Sequence, residues 1–79
     1  MNEEPKRFTR EQIKQITFKI SSLDAKQREL VRAMLFTMHD QHAGLFYQRD
    51  LHLELMRMQQ AYEISEIDRH NVEAALFPV

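Results

Sequence analysis

Residues 24–42, DAKQRELVRAMLFTMHDQH, constrain the fold more than any other stretch. Leu30, Val31, Met34, Leu35 and Met38 recur at the three- and four-residue spacings of one helix face. Asp24 suits the N-cap, and Gln27 stands three residues on to complete a capping box. Gly44, the only glycine, stands where a left-handed residue would end the helix. The rest of the chain must supply neighbours for this apolar face.

It has little else to build with. One glycine and two prolines are too few for the turns of a β-sandwich or barrel, and helix formers dominate. With no cysteine there is neither a disulfide nor a thiolate metal site. A 79-residue chain makes one domain, and a core of that size supplies about 3–5 kcal/mol, so association is a natural further support. The expected fold is all-α: a small four-helix bundle with three main helices and a short C-terminal one.

The boundaries follow from local signals. Residues 1–7 are polar, contain Pro5 and are expected to fray as a flexible tail, leaving 8–79 as a single helical domain. Thr9 and Gln12 form a second capping box, with Phe8 placed to staple onto Ile13. The first helix then runs to about residue 21 and buries Ile13, Ile16 and Ile20, with Leu23 beyond. Residues 45–47 form an apolar connector, extended or leading into the next helix. The third helix covers about 48–62 and carries Leu51, Leu55, Met58 and Tyr62 on one side. Ser65 caps a fourth over about 66–77, with Ile67, Val72, Ala75 and Leu76 inward and Pro78 ending it. One helix spanning 48–76 is an open alternative, because neither Gly nor Pro intervenes. Helices one to three are expected to be antiparallel neighbours, with the fourth as a cap.

Chemistry-bearing patterns are sparse. Ser21, Ser22 and Ser65 fall at helix ends, where capping accounts for them. A single glycine cannot build a phosphate loop. His39 and His42 share a helix face at i,i+3, with Asp50 or His52 as a possible third ligand. The helix dipole and the free carbonyls at a helix C-terminus account for these histidines better than a metal does, because no second such pair or cysteine pair accompanies them. No catalytic residue, metal site or cofactor is assigned, and an enzyme is not expected. The formal net charge of −1 supplies no general attraction to nucleic acid or to an acidic membrane. A polar N-terminus and the absence of any membrane-length apolar run favour a cytoplasmic location.

The informative departures are apolar residues on the wrong side. Phe18 lies about 180° from the first helix's stripe, and Phe36 about 170° from the second's. Leu53 and Met56 repeat the pattern on the third. Seventy-nine residues offer little material to cover both sides of every helix, and the five methionines suit adaptable contacts. Phe18, Phe36, Leu53 and Met56 are therefore the candidate partner-binding residues. The function expected is a non-enzymatic protein–protein interaction module, a small regulator that engages another protein or its own copy. The alternative is a helix-turn-helix DNA-binding transcriptional regulator. Helix order resembles that of winged helices, and Arg69, His70 and Asn71 would then face the groove. Against it stand the acidic start Ser65-Glu66-Ile67-Asp68, the net charge and the lack of residues for a wing. A weak basic strip runs along the first two helices, interspersed with acids.

Overall fold

The computed structural model describes residues 4–78. Thr9 opens α1 (Arg10–Lys19): its hydroxyl accepts from Gln12 N at 3.1 Å, and Gln12 Oε1 accepts from Thr9 N at 2.8 Å. Asp24 and Gln27 form the same reciprocal pair at 2.7 and 2.9 Å at the start of α2 (Ala25–Gln41). Tyr47 precedes α3 (Gln48–Gln60) without a side-chain cap. Ser65 caps α4 (Glu66–Leu76) through a box whose returning side chain is Asp68. The fold is all-α, with one small two-stranded antiparallel sheet among the described residues.

That sheet joins β1 (Lys6–Arg7) to β2 (Leu45–Phe46), with Lys6 opposite Phe46 and Arg7 opposite Leu45. Lys6 and Arg7, expected in the tail, thus belong to the fold; residues 1–3 of that tail lie outside the described residues. The N-terminal segment is fastened from several directions. Arg7 Nη1 donates to Ala43 O at 2.6 Å, Phe8 N donates to Gly44 O, and Lys6 Nζ lies 5.4 Å from the centre of the Phe77 ring. Phe8 packs edge-to-face on Phe46 at 5.5 Å between ring centres. Phe46, a connector residue in the sequence reading, is completely buried.

The turn after α2 uses two left-handed residues. Ala43 takes φ 53° at the position expected for Gly44, and Gly44 follows at φ 85°. Gly44 N closes onto His39 O at 2.8 Å. A Cβ on Gly44 would crowd Phe8 O at 3.2 Å, which adds to the preference for glycine at this φ.

The close helix pairs are α1 with α2 and α3 with α4, and α1 also meets α4. This corrects the expected arrangement: α2 and α3 are not closely packed neighbours, and a groove runs between them. At 11 residues α4 is longer than the 10 of α1 and is a full member of the bundle. Val31, Leu35 and Met38 from α2, Leu51, Leu55 and Met58 from α3, and Val72 and Leu76 from α4 meet in one core. Leu30 and Met34 sit half-buried at its margin.

On α1 the buried line is Ile13, Thr17 and Ile20, and Ile16 is only half-buried. Thr17 was not anticipated inside. Its hydroxyl donates to Ile13 O and Lys14 O at 2.9 and 3.0 Å, which satisfies it without a partner from another helix.

Helices α3 and α4 are separate. Tyr62, expected on the buried side of α3, is 95% exposed and left-handed at φ 61°. Glu63 N donates to Met58 O and Tyr62 N to Gln59 O, both at 3.0 Å, the paired bonds of a Schellman turn. Tyr62 thus fills a role usually given to glycine. Ile67 is a second correction: expected inward, it is 68% exposed, while Asp68 and Arg69 are buried beside it. Ala75 is exposed as well.

Candidate interaction surfaces

The four apolar residues read as partner-binding do not form one surface. Phe18, on the outer side of α1, is 77% exposed. It lines a cleft of about 330 Å³ with Lys14, Gln15, Lys19, Arg28 and Arg32. Arg28 fixes one wall. Its Nε donates to Thr17 O at 3.0 Å, and Nη2 donates to Ile20 O and Leu23 O at 3.1 Å each. Thr17 O and Ile20 O also accept from the backbone N–H groups of Ile20 and Leu23, so Arg28 adds a second bond to each, ties the link between α1 and α2 to its own helix, and sits 6.0 Å from the centre of the Phe18 ring.

Phe36 differs. It is half-buried, packs on the core, and carries the Arg10 guanidinium 4.3 Å above its ring. Arg10 is itself held by Asp40 at 2.9 and 3.0 Å. The bonds to Asp40 from the His39 ring and from Arg10 keep its carboxyl below the ordinary range. Phe36 is thus partly covered from within its own chain and offers less open apolar surface than Phe18. Helix angle alone could not reveal this, because the covering groups come from α1 and the core.

Leu53 is 57% exposed and lines the groove between α2 and α3, about 580 Å³ in volume. Met34 and Met38 give that groove apolar surface, and His42, Asp50 and Glu54 give it polar edges. Met56 is half-buried and borders neither this groove nor the Phe18 cleft.

The residues of the DNA-binding alternative fare differently again. Arg69 is buried, with Nε donating to Gln59 Oε1 at 2.7 Å and Nη1 to Glu73 Oε2 at 2.6 Å. Glu73 also accepts from His52 Nδ1 at 2.7 Å, which links α3 to α4. Asn71 Nδ2 donates to Ser22 Oγ at 3.0 Å, and His70 is exposed. The His70 Nε2 lies 3.5 Å from Arg69 Nη2, the weakest of the contacts that these three residues make. Arg69 owes its burial to partners ten residues upstream and four downstream, of which the i,i+4 pairing with Glu73 is the part visible in sequence.

Ser65 is occupied as a cap and Ser22 binds Asn71. His39 Nδ1 lies 3.0 Å from Asp40 Oδ1, and His42 faces the α2–α3 groove. Among the described residues, no three His, Asp or Glu side chains converge on a metal position, and no helix is long and apolar enough to cross a membrane. No family model, curated protein or solved structure matches the chain.

Proposed function

We propose that this chain is a non-enzymatic protein–protein interaction module of the cytoplasm. It acts as a small regulatory protein, presenting apolar helical surface to another protein or to its own copy. One observation carries the reading: the core closes around Ile13, Thr17 and Ile20, while Phe18 on the same helix stays 77% exposed beside a shallow, open cleft. A ring in that position contributes nothing to the core, and covering it would remove a large apolar area from water. Leu53, above the two methionines of the α2–α3 groove, supports the reading from a second face.

The test is Phe18→Ser, followed by thermal melts and by capture of partners from native extract. The expected result is a melt within about 0.5 kcal/mol of wild type, as for a surface substitution, with loss of the captured protein or of self-association. A collapsed melt would assign Phe18 to the core. An intact fold with unchanged association would remove it from any interface. Sequence-selective duplex binding lost in His70→Ala would favour the DNA-binding reading instead.

A further inference from the structure

The charge of the chain is divided between its two helical pairs. Eight of the eleven basic residues precede Ala33, and seven of the twelve acidic residues follow His39. Each half also exposes large apolar surface. In the first, Phe18 stands among Lys14, Lys19, Arg28 and Arg32, and the cleft has no acidic lining residue. Among the described residues none of those four cations has a carboxylate within ion-pair distance. In the second, the turn from α3 to α4 projects Tyr62 and Ile67, two of the large apolar residues left exposed, with Glu63 and Glu66 between them. Glu63 forms no ion pair among the described residues. The only one Glu66 forms is at 3.9 Å to Arg69, whose short bonds go to Glu73 and Gln59.

We propose that the occupant of the Phe18 cleft is the 62–67 turn of a second copy of this chain, an inference that rests on the interaction-module reading above. The argument is complementarity. One patch is apolar and cationic, the other apolar and anionic, and both belong to the same molecule. Lys14, Lys19 and Arg32 would meet Glu63 and Glu66, and Phe18 would pack against Tyr62 or Ile67. Paired charges at the rim of an apolar contact set its orientation and speed its formation. The contact joins two different patches, so every copy carries both halves. A nucleic-acid strand fits less well, because the patch is short, holds one aromatic ring, and belongs to a chain of net charge −1.

The experiment is sedimentation equilibrium of the intact protein at about 50 mM salt and again at about 0.5 M, where exposed charges are screened over a few ångströms. The expected result is a mass that rises with protein concentration, with association weakened about tenfold by the added salt. Two charge-reversed variants sharpen it: Lys14→Glu with Arg32→Glu, and Glu63→Lys with Glu66→Lys. Each alone should run as a monomer. Mixed, they should associate, because the intact turn of the first fits the intact cleft of the second. Phe18→Ser should weaken wild-type association roughly ten- to a hundredfold. Should a charge variant fail to fold, the salt titration and Phe18→Ser still decide the matter.

A wild-type chain that stays monomeric at about 1 mM in low salt overturns the proposal. So does association that survives all three variants. A monomeric wild type that loses a different partner on Phe18→Ser overturns the second copy alone and leaves the interaction module standing. A monomeric wild type that shifts an oligothymidine strand, with the shift lost in Lys14→Glu/Arg32→Glu, overturns both.

Discussion

The α1–α2 pair closes over Ile13, Ile20, Val31 and Leu35 with Thr17 bonded inside its own helix, whereas the α3–α4 pair adds a charged lattice to its leucines. In the second pair Gln59, Arg69, Glu73 and His52 form a continuous chain of hydrogen bonds between the helices. The turns differ in the same sense. Arg28 staples the first through three carbonyls, while the second is a backbone Schellman turn with a left-handed tyrosine. One pair is held mainly by area removed from water, which forgives small shifts. The other depends also on polar groups that must keep their partners once buried.

The largest expected effect is shared by both pairs. Leu35→Ala and Leu55→Ala truncate fully buried leucines on α2 and α3 and should each cost about 2–5 kcal/mol in denaturant unfolding. Similar losses mean that one core serves both pairs; a loss confined to Leu35→Ala would mean that α3 docks only loosely.

Arg69→Met separates the pairs. It leaves Glu73 largely buried with only His52 beside it, and should cost about 2–3 kcal/mol. Arg28→Met in the first pair should cost about half of that, since the carbonyls it leaves are only partly buried. Equal losses would mean that buried polar groups hold both pairs to the same degree.

Tyr62→Gly has the opposite sign. It relieves a left-handed φ at an exposed site and should raise stability by up to about 1 kcal/mol in the same unfolding measurement.

The smallest effect is in pH. Burial of Asp68 works to raise its carboxyl's pKa, but bonds from the Ser65 backbone, the Ser22 hydroxyl and the Ser65 hydroxyl outweigh it and hold the value below the ordinary 3.8. The unfolded chain therefore takes up the proton first as pH falls. The stabilisation is complete above 3.8 and is lost as pH drops below it towards the lower folded value. Melting temperatures measured from neutral to strongly acid pH should fall less steeply in Asp68→Asn than in wild type. Asp40, also depressed, leaves a residual slope.

The contrast also explains what the sequence made legible. The starts of α1 and α2 were readable because a cap and its return bond are local, three residues apart, and that of α4 was readable from its Ser65 cap alone. The apolar stripe of α2 located Val31, Leu35 and Met38 because packing follows helical period. Phe18 and Leu53 were recognisable as exposed by the same angular argument. It could not show the partial cover of Phe36, which comes from Arg10 on another helix. The α3–α4 pair was harder to read. The inward positions of α4 include Asp68 and Arg69, types that hydropathy assigns to the surface, and their burial depends on Ser22 and Gln59 from elsewhere in the chain. The β1–β2 bridge was missed because two-residue strands carry no periodicity.

Most direct for the central claim is a side-by-side comparison of Phe18→Ser and Leu35→Ala by thermal melt and sedimentation. Phe18→Ser should melt with wild type and associate more weakly, while Leu35→Ala should lose roughly 8 °C or more, at about 4–8 °C per kcal/mol for a domain of this size. A Phe18→Ser melt that falls as far as that of Leu35→Ala, with association unchanged in the folded fraction, would contradict the account.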